Sequence, residues 1–167
     1  EWHYEKPAHS TTCKDLIIPD LDTDMAWFLG FLHGDGYVCP RFAHNGFNAH
    51  VRFAILPEYN DIFNRCRAQM ERFGVRTTVI ETANDRSRKL NSHSKQLAWY
   101  LSKFKTGYES INIPVEIMQG LPQIRAAYLA GLLDADGCVK NRPLAAMVSV
   151  YPDYVKQVQC LYALSTY

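Results

Sequence analysis

Tyr128-Leu129-Ala130-Gly131-Leu132-Leu133-Asp134-Ala135-Asp136-Gly137-Cys138-Val139 aligns without a gap on Trp27-Phe28-Leu29-Gly30-Phe31-Leu32-His33-Gly34-Asp35-Gly36-Tyr37-Val38. Further along, Leu56-Pro57-Glu58-Tyr59 aligns on Tyr151-Pro152-Asp153-Tyr154, so the second copy is six residues shorter between its two matches. Two matches in the same order mark a duplicated unit, and a fixed internal repeat decides the fold before any local propensity does. Each motif reads as an apolar helix closed by a glycine-rich end. The small residues Gly30 and Gly34, and Gly131 and Ala135, fall four apart on one face, so the two helices can pack backbone against backbone. Their C-terminal ends then meet, with Asp35 and Asp136 side by side.

Two carboxylates in mutual repulsion call for a divalent cation, and the carbonyls of Gly34 and Ala135 are further oxygen ligands for it. The partial negative charge of helix C-termini adds to that preference. Such a site suits Mg²⁺-assisted displacement at phosphate. A single Asp-Gly is as well explained by a helix-ending turn; its recurrence in equivalent contexts favours the site. His33 stands where the second copy has Asp134, and the mismatch argues against a chemical role for either.

Outward from the motifs, Asp22, Thr23 or Asp24 caps the first helix. Val38 to Phe42 and Ala49 to Leu56 read as a hairpin, Pro57 as the first turn of a helix running to Arg72, and Val75 to Glu81 and Ser87 to His93 as strands. Ser94 to Phe104 reads as helix. Pro114 to Met118 is a connector, Pro122 opens the second motif helix, Ala145 to Tyr151 repeats a strand, and Pro152 to Tyr167 repeats the second helix. Residues 1–20 read as a linker or approach segment, 21–120 as a first unit, and 121–167 as the first half of a second.

The chain of 167 residues has 47% apolar and 13% aromatic residues, enough for a core, which excludes disorder and a coiled coil. It shows no membrane-length apolar run and no signal peptide, giving the expectation of an intracellular protein, cytoplasmic or in the nucleoid. Five scattered cysteines without a C-x-x-C pair suggest reduced thiols rather than a disulfide framework or a zinc site. Net charge is +1, but residues 41–105 hold twelve Lys/Arg against five Asp/Glu. That asymmetry points to a basic working surface.

The stretch Leu129 to Gly137 resembles the signature nonapeptide of the LAGLIDADG homing endonucleases, and Phe28 to Gly36 resembles the form that intein-encoded (dodecapeptide, DOD-type) members show in their first copy. The resemblance covers about Asp20 to Tyr167. It implies an α+β fold of duplicated αββαββα units packed through their motif helices, with sheets forming a saddle on DNA. It further implies a Mg²⁺-dependent, site-specific double-strand DNA endonuclease, the nuclease domain of an intein within a mobile element, beside which protein-splicing segments can flank. Asp35 and Asp136 correspond to the metal-binding acids. A basic residue near the end of each unit helps to orient water; the candidates are Lys105 and then Lys103, ahead of an Ile113-Pro114 that is similar to the family's connector. The same fold also serves nuclease-inactive relatives, RNA splicing maturases and transcription regulators, which is the alternative reading.

A sheet lying in the major groove turns alternate side chains to the bases, and Arg, Asn and His read base edges while Lys and Arg neutralise phosphates. The candidates for DNA contact are Arg41, His44, Asn48, His50 and Arg52 on the first hairpin, Arg76, Arg86, Arg88 and Lys89 on the second, and Lys140 and Arg142 in the second copy. His44 and His50 without a third partner read as base contacts rather than metal ligands.

Overall fold

The computed structural model describes residues 15–40, 42–43, 46–47, 49–83, 85–106, 110–140, 144–147 and 149–165. They divide into two compact units. One comprises the described residues up to Pro19 with Val38–Lys103, the other Asp20–Tyr37 with Phe104–Tyr167. The grouping follows packing: the two motif helices belong to the same unit although they come from different copies of the repeat.

The second of these units is built on helix α1 (Thr23–Asp35) and helix α5 (Pro122–Asp136), which pack on each other. Asp22 caps α1 by accepting from the Met25 amide at 2.8 Å. Every residue from Met25 to His33 is buried, as expected for a helix apolar all round. Gly34 lies inside α1, not at its end; the helix closes at Gly36, whose amide donates to the Leu32 carbonyl. Pro122 opens α5, where a missing amide hydrogen costs nothing. Helix α4 (Val115–Met118) precedes α5, and helix α6 (Pro152–Ser165) packs on it, burying Tyr154 and Leu161. Arg125 of α5 ties this layer together, donating to the Gly120 carbonyl and to the Leu164 carbonyl, both at 2.6 Å.

Two short ladders complete the unit. Strand β7 (Lys105–Thr106) pairs antiparallel with β8 (Ser110–Ile111), and β9 (Cys138–Lys140) with β10 (Leu144–Ala146). The first was not expected, because two residues are too few to show a period. The strand expected over Ala145 to Tyr151 stops at Ala146; further on, the Ser149 hydroxyl accepts the Tyr151 amide and bends the chain ahead of Pro152.

The other unit carries a four-stranded antiparallel sheet in the order β1 (Gly36–Cys39), β4 (His50–Ile55), β6 (Arg88–Ser92), β5 (Thr78–Ile80). The strand expected from Val38 to Phe42 ends at Cys39 because Pro40 has no amide to donate. A separate small ladder, β2 (Phe42–Ala43) with β3 (Gly46–Phe47), follows. Helix α2 (Asn60–Arg72) packs Phe63, Cys66 and Met70 inward, and helix α3 (Lys95–Leu101) does the same with Leu97, Ala98 and Leu101 after a Ser94 cap. Pro57 is not in the first turn of α2. It occupies the second position of a β-turn, closed by the Tyr59 amide on the Leu56 carbonyl at 3.0 Å, where its fixed φ is favoured. The approach segment touches this unit through the Ile17 amide, which donates to the Phe73 carbonyl at 3.2 Å. No helix among the described residues is long and apolar enough to cross a membrane. Cys39, Cys66 and Cys160 are free thiols.

Candidate active site

The approach of α1 to α5 is as close as backbone permits. A Cβ on Gly30 would collide with the Tyr128 carbonyl oxygen and lie 2.9 Å from the Leu132 nitrogen. A Cβ on Gly131 would collide with the Trp27 carbonyl oxygen and lie 3.0 Å from the Phe31 nitrogen. In the last turn Gly34 meets the Cβ of Ala135, and a side chain there would come within 3.5 Å of the Asp136 carboxyl carbon. The small residues at four-residue spacing therefore bring both helix ends, and with them Asp35 and Asp136, to one place.

Asp35 is held at a pKa of about 6, above its ordinary 3.8. Burial on the protein side is the main cause and the charge of Asp136 the second, while Lys105 opposes both. Its other side is open to solvent, as is that of Asp136. Lys105 is buried, and its ammonium donates to the carbonyls of Leu32 (3.1 Å), His33 (2.8 Å) and Gly34 (3.3 Å) in the last turn of α1, the negative end of the helix. Burial lowers its pKa to about 8, against the pull of Asp136 and Asp35. The β7–β8 ladder fixes its backbone, Lys105 standing opposite Ile111. Lys103, the second basic candidate, instead lies 5.5 Å over the Tyr100 ring.

The donor set fits a hard cation. Two neighbouring carboxylates, one of them pushed up by burial and then by the other's charge, are relieved by a divalent charge, and oxygen donors suit Mg²⁺, Ca²⁺ or Mn²⁺ rather than a thiophilic metal. Among the described residues no cluster of three His, Cys, Asp or Glu side chains is poised to hold a metal. A cation here would thus retain water or take phosphate oxygens, as Mg²⁺ commonly does. The Gly34 carbonyl, expected as a ligand, already faces the Lys105 ammonium. Beside these groups a pocket of about 250 Å³ is lined by His33, Gly34, Lys105, Asp136 and Tyr154 among others.

Sequence reasoning set His33 and Asp134 aside, and the structure gives both a partner on the opposite helix. The Trp27 indole donates to Asp134 at 2.7 Å, and the His33 Nδ1 shares a hydrogen bond of 2.5 Å with the Tyr128 hydroxyl. Tyr128 in turn meets the Tyr154 hydroxyl at 2.8 Å. Burial, with the Lys105 charge second, lowers the His33 pKa to about 3, so the ring is neutral. Burial also raises both tyrosines, which stay protonated. The signal was present in the alignment: Trp27 matches Tyr128 and His33 matches Asp134, so each aromatic partner and each polar partner recur at equivalent positions.

Of the expected DNA contacts, the sheet brings some together. Directly opposed residues share a face, and Arg52, Asn91 and Thr78 line up across three strands, followed by Ala54, Lys89 and Ile80. His50 lies on that face, its ring 6.3 Å from that of His93. Arg52 is steadied by donating to the Asn91 side chain at 2.8 Å, and Lys89 pairs with Asp85 at 2.8 Å. Arg76 and Arg86 are exposed. Arg88 is not on this face: it is opposite Ile55, stacks 4.3 Å over Phe63 and donates to Asn60. Lys140 closes β9, while Arg41, His44, Asn48 and Arg142 lie outside the described residues.

No family model matches the chain, and no curated protein does. Solved structures do. I-DmoI in complex with DNA and Mn matches with a TM-score of 0.63 at 18% identity, over 87% of this chain and 79% of that one. Mesophilic variants of the homing endonuclease I-DmoI match at 0.63 and 17% identity, over 87% and 74%. Full-length DUF199/WhiA from Thermatoga maritima matches at 0.51 and 11% identity, over 86% of this chain and 45% of its own. The helices joined through glycine, the antiparallel sheet and these matches together give the chain the fold of I-DmoI, that of a LAGLIDADG homing endonuclease.

Proposed function

We propose that this chain is a divalent-metal-dependent, site-specific DNA endonuclease of the homing type, cutting phosphodiester bonds in both strands. The observation that carries the reading is the meeting of Asp35 and Asp136 at the joined ends of α1 and α5, with the Lys105 ammonium beside them. The neighbouring I-DmoI structures support it, since they contain DNA together with Mn, Mg or Ca.

Asp35 and Asp136 are the residues that would hold the cation, each presenting its open side to solvent and phosphate. When bound, a cation such as Mg²⁺ neutralises developing charge on the phosphate and acidifies water. Lys105 keeps the α1 end in place and sets a positive charge beside the reacting phosphate. With a pKa of about 8 it also holds a proton that can be exchanged near neutral pH. Arg52, His50 and Lys89 on one sheet face, together with the exposed Arg76 and Arg86, are the candidate DNA contacts. Arg88 serves the other face.

Phe28 to Gly36 resembles the first motif of intein-encoded members, so the chain is read as the nuclease domain of an intein; its second copy is read as the first half of a LAGLIDADG unit. A groove of about 590 Å³ between α5 and α6 supports this, with Ala126, Leu129, Leu133 and Val158 in its lining. The equivalent residues of the first copy, Met25, Phe28, Leu32 and Phe63, are all buried.

The test is to change Asp35 and Asp136 separately to Asn. Each variant should lose cleavage in Mg²⁺ by more than roughly a hundredfold, beyond the effect of outer-shell changes, while binding target DNA in Ca²⁺ as the parent does. Binding by the parent without any cutting would favour the nuclease-inactive alternative.

A further inference from the structure

The glycine contact between α1 and α5 specifies closeness but not position along the helices. Small residues recur one turn apart on both, at Gly30 and Gly34 and at Gly131 and Ala135, so a slide by one turn, about 5.4 Å, would again bring small residues together. It would also part Asp35 from Asp136. The two cross-helix hydrogen bonds supply what the glycines lack. Trp27 near the start of α1 reaches Asp134 near the end of α5, and Tyr128 in the body of α5 reaches His33 near the end of α1. Because the pairs are related by the repeat, a slide of α1 in one direction stretches the first and a slide in the other stretches the second. Trp27, His33 and Tyr128 are buried, so a broken link strands a polar atom away from water. Tyr154, also buried, extends the second link into α6.

We propose that Trp27, Asp134, His33 and Tyr128 are positioning residues, two opposed register links that fix α1 against α5 along their length and so hold Asp35 and Asp136 at the spacing of a shared cation site. The second half of this statement rests on the metal-site reading above. The whole chain is used for the test, with Mn²⁺ as the probe, its free concentration followed by electron paramagnetic resonance without DNA, and folding followed by urea titration. Asp134→Leu, at an exposed position, and Tyr128→Phe should each weaken Mn²⁺ binding by about tenfold, in the range for outer-shell residues, while still unfolding cooperatively. Asp134→Asn, which keeps an acceptor for the indole, should bind within about threefold of the parent, a change well below the outer-shell range. Parent-like Mn²⁺ affinity in Asp134→Leu and Tyr128→Phe, with only the urea midpoint lowered, would overturn the proposal. If the parent binds no Mn²⁺, the cation site fails separately, and the register links are judged by unfolding. Trp27→Phe, which loses packing in either background, should then lower the midpoint less in Asp134→Leu than in the parent, and equal shifts in the two backgrounds would refute the link.

Discussion

At Asp35 two opposing demands meet: the proposed cation site needs its carboxylate charged, yet burial and Asp136 penalise that charge. Its folded pKa of about 6 lies above the ordinary 3.8, so its contribution to stability is complete below 3.8 and is lost as pH rises through about 6. In a chelating buffer Asp35→Asn should therefore melt above the parent at pH 7 and lose that advantage by pH 4. His33 has the opposite sign. Its folded pKa of about 3 lies below 6.5, so its contribution is complete above 6.5 and is lost as pH falls towards 3. Melting curves of His33→Asn should thus fall less steeply than the parent's between pH 6 and 4. An equal acid slope would show that the imidazole is not held neutral. The carboxylates were legible as residues because an Asp-Gly recurs at equivalent helix ends. The acceptors that Lys105 finds on α1 were not, because they are backbone carbonyls brought to it across 71 to 73 positions of chain.

Helices α1 and α5 were legible as elements for a physical reason: small residues four apart on an apolar helix have few uses besides close packing. Gly30→Ala and Gly131→Ala test that packing. Each added methyl meets a carbonyl of the other helix, and overpacking of this kind costs about 1–3 kcal/mol, measurable by urea denaturation. A loss below a few tenths would mean that the helices part easily. Elsewhere local signals were shared between competing structures. Leu56-Pro57-Glu58-Tyr59 and Tyr151-Pro152-Asp153-Tyr154 look alike, yet the first closes a turn before α2 and the second starts α6 outright. Proline tolerates both settings, so sequence could not separate them. The β7–β8 ladder that presents Lys105 is two residues a side and leaves no periodic trace.

Over the whole molecule charge is nearly balanced, while residues 41–105 are strongly basic, which suits a nucleic acid surface of which only part was assignable from composition. Arg88 shows the reason. Adjacent residues on a strand face opposite ways, so Arg88 and Lys89 cannot both serve one face, and the pairing register alone says which does. Replacing Arg52 or Arg76 by Ala should weaken DNA binding and lower the slope of log affinity against log salt by about 1 where a phosphate contact is lost. The same change at Arg88 should lower stability and leave the slope alone. The central claim, a two-aspartate cation site that cuts DNA, is tested most directly by exposing a randomised duplex library to the parent and to Asp136→Asn in Mg²⁺. The parent should cut a narrow set of sequences and the variant none; equal cutting by both, or none by a parent that binds that DNA in Ca²⁺, would contradict the claim.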